Sequence, residues 1–231
     1  MQLIAITKSS YFEEEAQQIQ DLFEAGLDIL HIRKKNTSKR KLVKLLNAIP
    51  EKYHGRIVLH LHHGLALKYA LLGIHLTRRH KKHRFKTFLK CWYFKFKKSD
   101  VIITTSFHGL DELRKKDNTY TYVFLSPVFD SVSKKGYLTP FNSNALKKQL
   151  TMTSYRVIAL GGVTENNINR ALQMGFSGAA VLGYLWNGSF SPVAKFNTLL
   201  DSIGVGAHTN EGSNHPSSGS NIRPIKISFN N

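Results

Sequence analysis

Three basic side chains end the second apolar run of the chain, where His31, Arg33 and Lys35 alternate with Ile32 and Lys34. Residues at i, i+2 and i+4 share one face of a β-strand, so these three would point together. An inward-facing group of cations is costly unless an anion neutralises it. A diphosphate would do so, because guanidinium pairs with phosphate oxygens and ammonium supplies a compact charge. We therefore predict an anion site here. The alternatives are that Lys34 and Lys35 belong to a solvated loop and that His31 is a hydrogen-bonded core histidine.

Glycine turns follow the last two apolar runs, at Gly161 and Gly162 and again at Leu182 and Gly183. Glycine lets backbone N–H groups approach a phosphate closely, and a following helix favours negative charge at its start. Two such turns at neighbouring strand ends predict a phosphate site. The alternative is that they are ordinary turn glycines.

Hydroxyl groups and a lysine occur after two earlier runs. Ser131, Ser133 and Lys134 lie in the loop after the sixth run, which we interpret as a lid over a phosphorylated ligand or, alternatively, as a basic surface loop. Ser106 ends the fifth run and is placed to contact a diphosphate oxygen. No carboxylate lies close to it in the sequence, so a nucleophilic serine triad is poorly supported.

Six histidines in the stretch between residues 60 and 83 suggest a metal cluster at first sight. No helical i, i+4 pair frames a glutamate among them, so we predict scattered core and surface histidines rather than a zinc site. They are His60, His62, His63, His75, His80 and His83.

The segment 78–98 contains ten lysine and arginine residues, no acidic residue and many aromatic ones. It fits a patch for nucleic acid or an anionic membrane surface. It also fits a barrel helix whose basic face is solvated and whose apolar face packs on strands. We favour the barrel helix because the segment fills the place of one.

Short apolar runs alternate with amphipathic stretches along the chain, which indicates strands buried on both faces and joined by helices. Eight such runs favour a closed (β/α)₈ TIM barrel over residues 1–203 rather than an open doubly wound sheet. Residues 204–231 are polar and predict a disordered tail. The strands are predicted at 3–6, 27–32, 56–61, 73–76, 101–105, 120–125, 156–160 and 178–182, and helices at 11–25, 39–49 and 165–174, the last capped by Thr164.

Composition narrows the class of protein. A chain of 231 residues suits one barrel, and the net charge of +18 favours anionic partners. No apolar run is long enough for a transmembrane helix, and the N-terminus does not resemble a signal peptide. The single Cys91 cannot form an internal disulfide. We expect a cytoplasmic protein without membrane or nucleic-acid partners, and the sequence is also compatible with a homodimer.

In these residues the chain resembles the thiamine phosphate synthase and thiazole tautomerase superfamily over about residues 1–202. The resemblance implies a synthase that joins a pyrimidine diphosphate to a thiazole phosphate and releases pyrophosphate. It implies that Arg33, Lys35 and Ser106 hold the diphosphate, that Ser131, Ser133 and Lys134 cover both substrates, and that Gly162 and Gly183 hold the thiazole phosphate. The matching segments are 31–35, 73–76, 105–108, 122–129, 133–136 and 159–163.

The chain also departs from the synthase pattern. Synthases usually have glutamine at His31, an Asn-Asp pair at His60 and Leu61, and an aspartate at His80. The family's Mg²⁺ therefore has no evident protein ligands here. Tautomerases of the superfamily use a histidine where this chain has Pro127.

Three alternatives to the synthase reading follow. The first is a thiazole tautomerase-like enzyme, in which His31, His60 or His62 would carry the proton. The second is a non-catalytic regulator that binds thiazole phosphate. The third, from another class, is a basic nucleic-acid-binding barrel that uses segment 78–98.

Overall fold

A computed structural model describes residues 1–115, 117–130 and 141–208. Eight parallel strands form the centre of the molecule. Each strand pairs with its neighbours in chain order, and β1 pairs with β8 to close the barrel. The predicted (β/α)₈ barrel is therefore confirmed. The strands are β1 (Gln2–Ile6), β2 (Ile29–Ile32), β3 (Ile57–Leu59), β4 (Gly73–Leu76), β5 (Ile102–Phe107), β6 (Tyr122–Leu125), β7 (Val157–Leu160) and β8 (Gly178–Val181).

Helices cover the outside of the barrel. They are α1 (Glu15–Glu24), α2 (Lys39–Ala48), α3 (Gly64–Lys68), α4 (Arg78–Lys81), α5 (Arg84–Lys97), α6 (Leu110–Leu113), α7 (Ser143–Met152), α8 (Ile168–Gln173), α9 (Gly183–Trp186) and α10 (Pro192–His208), with a 3₁₀ helix at Glu51–Arg56. No helix in the described ranges is long and apolar enough to cross a membrane.

One predicted helix start needs correction, whereas the predicted domain boundary at 203 stays a prediction. Helix α10 runs to His208, and residues 209–231 lie outside the described part. Helix α8 begins at Ile168 rather than Glu165. Its N-cap is Asn167 rather than Thr164, whose backbone N–H donates to the side chain of Asn167.

Side chains divide into two apolar layers because successive residues of a strand point to opposite faces. The outward residues pack against the helices in the larger core. The inward residues fill the barrel with a smaller cluster: Ile4, Ile6, Ile29, Val58, Ile102, Tyr122, Phe124, Ile158 and Ala180. Continuing the same alternation toward the carboxyl ends of the strands brings polar residues onto the barrel axis. We call this end the mouth.

Helix α5 differs from the prediction for segment 78–98. It occupies a helix position beside the barrel, but only Cys91 and Phe94 are buried. Trp92 and Phe96 stack on each other in solvent, with ring centroids 5.6 Å apart. The predicted packing of its apolar face on the strands is therefore wrong for most of it. The helix has more large apolar residues than one stripe can bury, and the exposed ones are Phe85, Phe88, Leu89, Trp92, Tyr93 and Phe96.

This orientation predicts unequal effects for two phenylalanines of one helix. Phe94 is 3% exposed and Phe96 is 71% exposed. We expect Phe94→Ala to lower the free energy of unfolding by about 3–5 kcal/mol through lost burial and a cavity. Phe96→Ala, its matched control, should change it by less than about 0.5 kcal/mol. Urea denaturation followed by circular dichroism measures both. Equal losses would mean that the helix presents another face to the barrel.

Candidate active site at the barrel mouth

Three histidines from adjacent strands meet at the centre of the mouth. His31 lies on β2, His60 directly follows β3, and His75 lies on β4. His31 Nδ1 lies 3.1 Å from His60 Nε2, and the rings of His60 and His75 stack with centroids 4.1 Å apart. The prediction of scattered histidines is therefore wrong for His60 and His75, whereas His62 is exposed and hydrogen-bonds to Thr37 O. We call His31, His60 and His75 the histidine cluster.

Hydroxyl groups surround the histidine cluster. The Tyr122 hydroxyl lies 2.5 Å from His31 Nε2, from the opposite side of the barrel. Thr104 Oγ1 lies 2.9 Å from His75 Nδ1, and Ser106 Oγ lies 3.2 Å from His75 Nε2. A neutral imidazole has one donor and one acceptor nitrogen, so these contacts can be satisfied without a net charge.

Burial keeps the histidine cluster neutral. It lowers the pKa of His31 to about 3. It also lowers the pKa of His60 and His75 well below the usual value, and the neighbouring imidazoles and Arg33 lower both further. His31 points to the barrel axis, as predicted, and its lowered pKa favours the alternative of an uncharged core histidine. The same burial disfavours the protonated forms that His31 and His60 would need as proton carriers near neutral pH.

The basic residues after β2 are arranged differently from the predicted alternation, because the strand ends at Ile32. Arg33 is partly buried, and its charge lies near enough to the histidine cluster to affect the pKa of two members. Lys35 is exposed to solvent, which contradicts its predicted place on the inward face. Of the three cations that directly follow β2, Arg33 is therefore the one that accompanies the histidine cluster.

Lys34 is buried rather than solvated. Its ammonium forms a salt bridge with Glu15 of α1, donates to Ser10 O at 2.8 Å and lies over the ring of Tyr11. Burial raises the pKa of Glu15 and lowers that of Lys34, and each partner opposes the shift of the other. The pair ties the segment after β2 to α1, which holds the backbone that carries Arg33.

The glycine turn after β7 follows the chain that leaves β6. Phe129 N donates to Gly161 O at 3.1 Å. Gly161 and Gly162 both have positive φ, and a Cβ on Gly162 would come within 2.3 Å of Asp130 O. Both glycines are thus required by the close approach of the two loops, whether or not a phosphate binds there.

The turn after β8 lies beside the turn after β7, because β7 and β8 pair directly. Leu182 is partly buried and packs on the inner cluster, and Gly183 begins the short helix α9. Leu182 and Gly183 therefore lie at the same end of the barrel as Gly161 and Gly162. The other predicted ligand residues Ser131, Ser133 and Lys134 lie outside the described residues.

The sequence matches the family model described as "Thiamine monophosphate synthase" over residues 3–185. The chain belongs to the thiamine monophosphate synthase family. Its sequence is 27% identical over 96 residues to a thiamine-phosphate synthase of Latilactobacillus sakei. That match covers 42% of this chain and 41% of that protein.

Similar solved structures cover nearly the whole chain. The structure of a thiamine phosphate pyrophosphorylase from Bacteroides thetaiotaomicron is 31% identical in sequence with a TM-score of 0.72, and the match covers 89% of this chain and 98% of that one. A thiamine phosphate pyrophosphorylase from Pyrococcus furiosus, 17% identical with a TM-score of 0.69, shares the fold over 89% of this chain and 96% of its own.

The buried salt bridge between Glu15 and Lys34 predicts how one substitution changes stability. Glu15→Gln would leave the Lys34 ammonium buried without its counter-charge, so we expect the free energy of unfolding to fall by about 3–5 kcal/mol. Glu13→Gln removes the same charge two residues earlier, from an exposed side chain, and should have an effect below about 0.5 kcal/mol. Thermal and urea denaturation measure both. A tolerated Glu15→Gln would indicate that water solvates Lys34.

Proposed function

We propose that this protein joins hydroxymethylpyrimidine diphosphate to thiazole phosphate and releases pyrophosphate, which is the thiamine phosphate synthase reaction. The observation that carries the proposal is the family match over residues 3–185, on a barrel that brings Arg33, Ser106 and two glycine turns to one end. In this reaction the bond between the pyrimidine methylene carbon and the diphosphate oxygen breaks. The thiazole nitrogen then captures the resulting cation, and pyrophosphate takes the bonding electrons.

Arg33 supplies the charge that the leaving group requires. Its guanidinium forms a fork of donors suited to phosphate oxygens, and it neutralises the charge that develops on pyrophosphate as the bond breaks. Ser106 offers a hydroxyl to the same diphosphate, from a strand on the opposite side of the histidine cluster.

The thiazole phosphate is assigned to the turns after β7 and β8, at Gly161, Gly162, Leu182 and Gly183. Backbone N–H groups there would bind phosphate oxygens without side-chain bulk. The loop residues Ser131, Ser133 and Lys134 are assigned to covering both substrates, and Lys35 to an outer contact with the diphosphate. These assignments rest on the resemblance of each segment to the family.

The Mg²⁺ that the resemblance implies has no evident protein ligands among the described residues, so substrate phosphates and water would supply most of its ligands. A hard cation prefers oxygen ligands. Within the described ranges, the one group of three or more potential metal-binding side chains is the histidine cluster, which offers nitrogen. Glu15 is paired with Lys34, and Glu112 with Lys81. No step of the reaction is therefore assigned to a protein-bound Mg²⁺.

The synthase proposal is tested by incubating the purified protein with both substrates and Mg²⁺ and measuring thiamine phosphate and pyrophosphate. We expect both products in equal amounts. Arg33→Ala should lower kcat/KM by about 30- to 150-fold, the cost of about 2–3 kcal/mol for a lost charge-assisted contact. Arg40→Ala, an exposed arginine on α2, is the charge-matched control and should retain activity.

The outcome that rejects the proposal is no product under conditions in which a known synthase is active. Calorimetry with thiazole phosphate alone then separates the two remaining readings. Binding without turnover of the diphosphate would indicate a thiazole phosphate-binding regulator or a tautomerase-like enzyme. An absence of binding would exclude these as well.

A further inference from the structure

The histidine cluster contains a short contact between two ring nitrogens, of which one carries a proton and the other accepts it with an in-plane lone pair. His31 Nδ1 and His60 Nε2 are 3.1 Å apart, and one ligand atom from each of the three histidines lies within 4.8 Å of the others. In a tetrahedral zinc site with bonds of about 2.0–2.1 Å, two ligating nitrogens lie about 3.3 Å apart. The ligand atoms are thus close enough to share one ion once the stacked rings of His60 and His75 turn out of parallel, so that their in-plane lone pairs converge.

The surroundings of the cluster match those of metal-binding histidines. Such histidines usually have their second ring nitrogen held by a hydrogen bond, which fixes the ring orientation. The Tyr122 hydroxyl contacts His31 on the nitrogen opposite His60. The Thr104 hydroxyl contacts His75 Nδ1 and the Ser106 hydroxyl contacts its Nε2, so an ion that binds one of these nitrogens displaces that hydroxyl and leaves the other to orient the ring. The rings of His31 and His75 are thus held in place by groups other than the cluster itself.

The His31–His60 contact already contains one unprotonated nitrogen. A metal ion binds only an unprotonated imidazole nitrogen, and the acceptor of this hydrogen bond is one. The proton on the His31–His60 contact has an alternative place, because His31 can carry it on Nε2 and donate to Tyr122 Oη. An ion can therefore replace the hydrogen bond without creating a charged imidazole.

We propose that His31, His60 and His75 form a three-histidine site for a divalent first-row transition ion such as Zn²⁺ or Co²⁺. Nitrogen ligands favour these ions over Mg²⁺. Three protein ligands leave a coordination position open, as in catalytic rather than structural zinc sites. The site includes no carboxylate, so hydroxide or a phosphate oxygen must balance the charge. Arg33 nearby favours such an anion.

The proposal is tested on the full chain, prepared without a polyhistidine tag and treated with EDTA. Titration with Co²⁺ should produce visible absorption bands of a four- or five-coordinate ion that saturate at one ion per chain. Competition with Zn²⁺ should abolish these bands, with a Kd below about 1 μM for Zn²⁺. No substrate is present, so failure of this test is distinct from failure of the synthase proposal.

Variants locate the ion. His75→Gln should weaken Co²⁺ binding by about 100-fold, and Thr104→Val, which keeps the imidazole but removes its hydroxyl partner, by about 10-fold. His54→Gln is the matched control, because His54 is also buried but hydrogen-bonds only to the carbonyls of Leu46 and Ile49. It should bind Co²⁺ like the natural protein. Circular dichroism confirms that each variant is folded, and Thr104→Val retains a test if His75→Gln does not fold.

Two results would overturn the proposal. The first is the absence of saturable Co²⁺ bands in the natural protein. The second is equal Co²⁺ affinity in His75→Gln and His54→Gln, which would place the ion on exposed histidines such as His62. Elemental analysis of untreated protein gives an independent readout, because zinc retained by the natural chain and His54→Gln should be absent from His75→Gln.

Discussion

Closure of the barrel is the constraint on which the rest of the molecule depends. Because β1 pairs with β8, every second residue of each strand points at the common axis and has no exit to solvent. The lower positions are apolar and fill the interior, as Ile4 and Phe124 do. At the mouth the same alternation forces His31, His60 and His75 against each other. Burial lowers the pKa of all three, and the proximity of the other imidazoles lowers the pKa of His60 and His75 further.

At the mouth, uncharged polar groups are buried and the basic side chains of Arg33 and Lys35 lie closer to solvent. The buried level holds neutral imidazoles and hydroxyls, which satisfy one another without an ion pair. Arg33 lies partly buried beside this level, and Lys35 lies outside it. Lys34 points away from the axis to Glu15. A phosphorylated ligand would thus encounter solvent-accessible cations first and the dry polar level last, an order suited to binding anions without burying unpaired charge.

The sequence predicts much of this fold, and the failures have physical causes. All eight strands were predictable because double-sided burial produces continuous apolar runs, and the glycine turns because backbone crowding demands glycine. The histidine cluster was missed because His31, His60 and His75 are far apart in sequence and meet only through strand register. Counting inward positions across neighbouring strand ends would have found it. The burial of Lys34 was not predictable from its neighbours in sequence either, because its partner Glu15 belongs to the preceding helix α1.

Some predicted site residues lie at the mouth where the sequence places them, and others do not. Ser106 adjoins the histidine cluster as its place at a strand end suggests, whereas Lys35 does not continue the alternation, because the strand ends three residues before it. The alternation of side chains between two faces holds only within a strand and does not predict where residues after its end point. For α5, the aromatic content resembles a core helix, and no local pattern shows that the barrel wall covers only a narrow stripe of it.

The two tryptophans of the chain lie in opposite environments, and this gives the protein two separable optical reporters. Trp186 is buried, packs against Phe12 and donates its indole N–H to Ile6 O, at the seam where the first and last strands join. Trp92 is exposed to solvent on α5. Emission from Trp186 therefore follows the integrity of the seam, whereas emission from Trp92, which a soluble quencher can reach, registers whatever approaches that helix.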